Sequence, residues 1–316
     1  ILGNNKLKVN DEVVLRTMFN NTKWKKRNNA AITKLSFFDN FIGIILTILQ
    51  NKVFNIKITN DVYFIGYDTA TKIFNMPPSS EKTQPMYIAS VNEKVDGTAL
   101  DYLKDPETNN FNFETFLKIF YQIVCKLDLL QNKLKFFHGD LKLDNVFYKI
   151  INYDVVFLIS DLGNSTLTIN GVKIRGNPDF KVVGSDQDEP YYGKDILYFI
   201  INALREVKTM NNQQMIEKIL DLLKNISNVD EIDLIDNNEI FMPKNADGTY
   251  NFIPSKIFNL DNRYEILKAS NVKKELEKRY SDVNFYCKNI DISRNNSKYY
   301  KKYIKYKNKY INLKKM

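Results

Sequence analysis

Between His138 and Gly163 the chain carries side chains whose types and order could move a phosphoryl group. The stretch HGDLKLDN runs from His138 to Asn145, and Asp161-Leu162-Gly163 follows at the end of the apolar run VVFLIS. Phosphoryl transfer needs a carboxylate to orient the attacking hydroxyl, a cation to neutralise transferred charge, and metal ligands. Asp140 can be the carboxylate. Lys142 stands two residues on, where it can reach the transferred group. Asn145 offers a neutral amide oxygen to magnesium and Asp161 offers charged oxygens. Magnesium takes a few such oxygens and keeps the rest of its shell for phosphates and water. Gly163 lets the backbone turn sharply after the metal ligand.

These residues need elements to hold them. FETFLKIFYQIVCKLDLLQN, residues 113–132, has apolar side chains at three- and four-residue spacing (Phe116, Ile119, Ile123, Leu127), which predicts a long helix before the loop. Residues 146–148 and 155–159 predict two short strands in a hairpin, with the loop leading into the first and Asp161 following the second. Residues 195–204 are apolar nearly all round and predict a buried helix. Residues 215–225 predict an amphipathic helix. Upstream, 13–18 and 86–91 predict strands, 37–50 a helix, and 76–85 a loop because of its three prolines. VFNIKI and VYFIGY predict two further strands within 53–67, with Thr59, Asn60 and Asp61 as the turn between them. Residues 92–97 form a polar connector. Residues 226–275 give no clear pattern.

Composition narrows the class. The chain has 316 residues, 44% of them hydrophobic and 13% aromatic, which suffices for a large core and excludes global disorder. Two cysteines, Cys125 and Cys287, argue against a disulfide framework and for a reducing compartment. There is no Cys/His cluster to suggest zinc. The longest apolar run, 41–49, is too short to span a membrane, so no transmembrane segment is expected. No signal peptide is evident. The chain opens on Ile1 rather than Met, which suggests a processed product or a fragment.

HGDLKLDN resembles the H-x-D-x-x-x-x-N catalytic loop of the protein-kinase-like superfamily, and DLG resembles its D-F-G metal loop. YIASVNEKVDGTALDYL looks like the hinge between the two lobes of that fold. Asp195 resembles the buried aspartate that anchors the catalytic loop. The resemblance covers roughly residues 86–205, in the family's order. It implies an α+β, bilobal protein-kinase-like fold. Residues 1–91 would form a divergent or truncated N-terminal lobe, 92–290 a mainly helical C-terminal lobe, and 291–316 a basic tail. It implies ATP and Mg as cofactors and phosphoryl transfer to Ser/Thr hydroxyls of a protein substrate. Lys142 favours the Ser/Thr type. Asp140 and Lys142 would be catalytic, Asn145 and Asp161 would hold metal and nucleotide, and Arg16, in VVLR, is the nearest imitation of the phosphate-pairing lysine. Lys34 and Lys57 are weaker candidates for that role. His138, the sole histidine, would pack under the metal loop rather than act as a base.

The chain also departs from the family. Gly139 replaces the usual Arg, making it a non-RD type and arguing against control by activation-loop phosphorylation. No G-x-G-x-x-G occurs in residues 1–85, which hold only Gly3, Gly43 and Gly66, and the helix at 37–50 has no Glu to pair with a lysine. These departures support an alternative reading, a pseudokinase acting as a binding or scaffold module. A small-molecule phosphotransferase is a third reading, opposed by Lys142 and by the short segment between Asp161 and Asp195.

The charge is uneven. The net charge is +9, and residues 293–316 contain eight lysines and Arg294 with no Asp or Glu, so the rest is near neutral. Tyr299, Tyr303, Tyr306, Tyr310 and Leu313 follow a four-three spacing that predicts a helix with an aromatic stripe and a basic face. Such a tail suits an anionic partner: a nucleic acid, an acidic protein or a membrane surface. The Lys/Tyr-rich ending and AT-rich residue usage resemble proteins of large cytoplasmic DNA viruses such as the mimivirus group. The corresponding location would be the host cytoplasm or the virion.

Overall fold

The computed structural model describes residues 13–18, 29–68, 87–105, 111–151, 154–175, 192–227 and 266–281. They form a mixed α and β protein with small antiparallel sheets and several helices, in keeping with the α+β class. Strand β1 (Val13–Met18) pairs with β3 (Tyr87–Glu93), and β2 (Val62–Asp68) pairs with the other edge of β3, giving the order β1-β3-β2. Helix α1 (Asn29–Leu49) packs against β2, burying Ile44 with Val62 and Ile65.

A second sheet joins β4 (Gly97–Thr98), β5 (Val146–Ile151) and β6 (Asp154–Ile159). Thr98 caps the short helix α2 (Ala99–Lys104). Its hydroxyl accepts from the Asp101 N–H, and the Asp101 carboxylate accepts from the Thr98 N–H, a reciprocal capping box. A third pair of strands, β7 (Thr166–Ile169) and β8 (Val172–Arg175), turns on Asn170 and Gly171, both at positive φ. That turn geometry suits an Asn-Gly pair.

The main core is built around α3 (Phe113–Leu134), opened by the Asn112 side chain accepting from the Thr115 N–H. Its buried stripe includes Phe116, Ile119, Phe120, Ile123, Leu127 and Leu130. Phe116 and Phe120 stack with Phe199 of α4 (Gly193–Thr209), with centroids 5.8–6.1 Å apart. Each such side chain contributes about 1.5–3 kcal/mol by leaving water. Helix α5 (Gln213–Ser227) packs on α4, and α6 (Ala269–Arg279) packs on α3. Gln131 accepts from the Ala269 N–H at 3.1 Å, and Tyr121 donates to Glu277 at 2.6 Å. Among the described residues no helix is long and apolar enough to cross a membrane.

Several sequence expectations change. VFNIKI is not a strand. The helix continues as a π turn through Phe54, then Asn55 adopts a left-handed conformation at φ 53°. The N–H groups of Ile58 and Thr59 donate to the side-chain oxygen of Gln50, at 2.8 and 3.0 Å. A glutamine thus supplies the acceptor that a neighbouring strand would have offered. Helix α1 begins at Asn29, well before 37, and β3 extends through Glu93 into the expected connector. The β7–β8 hairpin, α2 and α6 had not been expected. Cys125 on α3 is disulfide-bonded, so cysteine usage does not point to a reducing compartment. The loop at 76–85 and the tail at 291–316 lie outside the described residues.

Candidate functional site

The HGDLKLDN loop connects α3 to β5 and is fastened from several sides. Leu141 and Leu143 are buried in the main core, while Asp140 and Lys142, which alternate with them, stay partly exposed. From α4, Asp195 accepts the His138 N–H at 2.8 Å and the Gly139 N–H at 2.9 Å, one on each carboxylate oxygen. Burial pushes the Asp195 carboxyl up, against the pull of His138, the two N–H donors and Lys194. Seven residues on, along the same helix, Asn202 accepts the Leu143 N–H at 2.9 Å. Gly139 has φ 82°, a left-handed backbone that glycine adopts without steric cost. This backbone conformation is one reason glycine suits the position where the sequence resemblance anticipates arginine.

His138 is fully buried. Its Nδ1 accepts from the Asp140 N–H at 3.3 Å, so Nε2 carries the proton and donates to the Ser160 carbonyl at 2.8 Å. Both ring nitrogens are occupied in holding the loop to the end of β6. The Ser165 hydroxyl donates to the His138 carbonyl, and Phe137 and Thr166 exchange backbone bonds at 2.9 and 2.7 Å. The segment after Asp161 is therefore bound to the start of the loop.

Asn145 Nδ2 donates to the Asp140 carbonyl at 2.8 Å and to Asp140 Oδ2 at 3.2 Å. Its Oδ1 accepts no hydrogen bond among the described residues. Lys142 Nζ lies 3.2 Å from Asp140 Oδ2, which leaves Asp140 Oδ1 unengaged among those residues. Asp161 is exposed and sits at φ 54°, ψ 64°, a left-handed conformation that costs a non-glycine residue about 1–2 kcal/mol. The next residue, Leu162, is buried, and its N–H donates to Asp39 Oδ1 on α1 at 2.7 Å.

Asn145, Asp161, Asp144 and Asp39 line a single cleft of about 600 Å³. Its lining also includes Val14, Val62, Asn92 and Glu93 at the end of β3, and Val95 just beyond it. Of the sequence candidates, Asn145 and Asp161 thus border the cleft directly, and Asp140 and Lys142 join Asn145 through hydrogen bonds and charge. Arg16 lies on β1 opposite Ser90 of β3, with its side chain outside the described residues. Lys34 lies on α1 under the same restriction. Lys57 is engaged elsewhere, 3.0 Å from Asp61 and 2.7 Å from Glu93, and is buried there.

Asp39 and Asn202 escaped the sequence reading, and Asp144, a charged loop residue, reads from sequence alone as solvated. Asp144 is exposed, but it does border the cleft. Among the described residues no group of three or more His, Cys, Asp or Glu could hold a metal by itself. Compared with known proteins, the chain matches no family model, and no curated protein emerges as a relative.

Proposed function

We propose that the chain is a protein-kinase-like phosphotransferase of the Ser/Thr type, using ATP and magnesium. The observation that carries this reading is that Asn145 and Asp161 border one cleft, while Asp140 and Lys142 join Asn145 through hydrogen bonds and charge on a loop held by Asp195. In this reading the sheet β1-β3-β2 with α1 is a small lobe, and the helical core is a large lobe. Asp140, with Oδ1 open, orients the attacking hydroxyl. Lys142 faces the transferred charge.

The donor set suits magnesium held jointly with phosphates. Asn145 spends its amide hydrogens on Asp140 and presents its oxygen, and Asp161 presents an exposed carboxylate. Two such oxygens are few for a metal bound by protein alone but ordinary for magnesium that shares its shell with a nucleotide. Bound there, the ion would neutralise charge on the transferred group. Arg16, on the β1 edge, is retained as the candidate phosphate-facing cation. Asp39 supplies an α1 carboxylate where the sequence offered no glutamate.

The pseudokinase reading has one observation in its favour. Lys57 is committed to Asp61 and Glu93 and cannot serve as the phosphate-pairing lysine. The basic tail at 294–316 remains a proposed contact for an anionic surface, on charge alone.

Transfer of radiolabel from ATP to a basic protein substrate separates the two readings. Asp140→Ala should abolish transfer while leaving the melting temperature within about 2 °C, since the side chain is partly exposed and packs little. Equal transfer by wild type and Asp140→Ala would rule out this assignment of the site. No transfer by the wild type would favour the scaffold.

A further inference from the structure

We infer that Lys57, Asp61, Glu93 and Lys149 form a partly buried ionic clamp, with Lys57 its buried member, that holds the connection between β3 and β4, and with it part of the cleft lining. All four are then positioning residues. The inference rests on the proposed function only for the nature of the ligand in that cleft.

Glu93 is the centre. Its Oε2 faces Lys57 Nζ at 2.7 Å and accepts the Asp61 N–H at 3.0 Å, while Oε1 faces Lys149 Nζ at 2.6 Å. The Glu93 N–H returns a bond to the Asp61 carbonyl at 2.7 Å. Lys57 bridges on to Asp61 Oδ2 at 3.0 Å, and Asp61 Oδ1 accepts from Gln50 at 2.6 Å and Asn51 at 3.2 Å. The contacts therefore run without a gap from the end of α1, through the loop at 55–61, to the last residue of β3 and on to β5. Two lysines meet two carboxylates, so no charge is left over.

Burial of the Glu93 carboxyl pushes it up. The Lys57 charge outweighs this, together with hydrogen bonds from Lys149, Lys57 and the Asp61 N–H, and holds Glu93 below the usual carboxylate range. The far end of the connection is fixed as well. The Asp96 N–H donates to the Tyr148 carbonyl at 3.0 Å, and its carboxylate accepts the Ile150 N–H at 2.7 Å.

Buried ion pairs add little net stability over apolar replacements of the same size, but they demand one geometry. Here the geometry demanded is that of a backbone segment whose members Glu93 and Val95 line the cleft. A lining fixed before the ligand arrives spares the ordering cost on binding. Lys149 is the element of the clamp contributed by β5, across the connection from the β1-β3-β2 sheet, so it decides whether the two sheets are tied together through charge.

Deuterium exchange on the full chain tests this, comparing peptides over 92–98 with peptides from α3. Lys149→Met keeps the apolar stem and removes the charge. It should speed exchange over 92–98 by about tenfold while α3 is unchanged, the mark of a local rather than a global opening. Lys149→Arg should restore wild-type exchange. Glu93→Gln, which keeps the volume, should loosen the same segment more than Lys149→Met does. Magnesium·ATP should bind about fivefold more weakly to Lys149→Met, through lost preorganisation. Unchanged exchange over 92–98 in both charge-removing variants would overturn the clamp, as would an equal rise in α3. The expected exchange pattern in a wild type that binds no magnesium·ATP would uphold the clamp and overturn the nucleotide reading alone.

Discussion

Asp140 keeps one carboxylate oxygen without a hydrogen bond among the described residues, whereas both oxygens of Asp195 are closed by backbone N–H donors. The difference sets what each substitution does. Asp195→Ala leaves the His138 and Gly139 N–H groups without acceptors in a buried place. It should lower stability by about 1–3 kcal/mol or more, read as a fall in the urea midpoint at unchanged slope. A midpoint equal to wild type would remove Asp195 from the anchoring role. The candidate site was legible at this scale because its residues follow one another closely, so types and spacing carried the information. Asn202 and Asp39 were not legible. Each reaches a segment far away in sequence through a hydrogen bond, 59 residues off for Asn202 and 123 for Asp39, and nothing local marks such a residue. Gly139 was visible as a substitution, but the left-handed backbone that suits it to glycine was not.

Elements with a strong period were readable and those set by tertiary partners were not. Helix α3 was expected over 113–132 and spans Phe113–Leu134, since its apolar stripe is regular and Asn112 caps it. VFNIKI reads as a strand by propensity, yet Gln50 satisfies its backbone and Lys57 within it is drawn into a buried ion pair. The Asn170-Gly171 turn of the β7–β8 hairpin carries a local signal that the sequence reading passed over. Helix α3 also contains an anomaly that periodicity alone would hide. Lys126 is buried on it, and burial pushes its ammonium down from 10.5 to about 8. No carboxylate pairs with it among the described residues. The unfolded chain holds the proton up to about pH 10.4, so the folded state bears a charging cost below pH 8 that fades as pH rises between those values. Lys126→Met should therefore raise stability at pH 7 by roughly 2 kcal/mol, with the gain vanishing above about pH 10.5. Chemical denaturation of both proteins at pH 7 and pH 10.5 checks this, and a gain independent of pH would show that packing rather than charge is responsible.

For the whole molecule, the cleft brings residues of α1, β1, β2 and the end of β3 together with the loop before β5 and the turn after β6. Its charges are unequal. Asp39, Glu93, Asp144 and Asp161 all border it, and Lys57 and Lys149 at the β3 end are both engaged by Glu93. A polyanion such as ATP entering alone meets carboxylates, with Lys142 beside Asp140 as the described cation of the HGDLKLDN loop. A divalent ion reverses that balance, since one ion adds two positive charges where Asn145 and Asp161 present oxygens. Nucleotide binding should therefore be weak and strongly magnesium-dependent. At low ionic strength, affinity for ATP should rise about a hundredfold on adding magnesium, equivalent to roughly 2.7 kcal/mol. Asp161→Asn should abolish that gain while leaving the small magnesium-free affinity in place or raising it, because the substitution removes a negative charge. Calorimetric titration of wild type and variant, each with magnesium and with chelator, gives the four values needed. Tight binding in chelator would place an unseen phosphate cradle in the first 85 residues and would take the metal out of its central role. A magnesium gain that survives in Asp161→Asn would move the ion to other ligands, with Asp39 and Asp144 the carboxylates next in line around the same cleft.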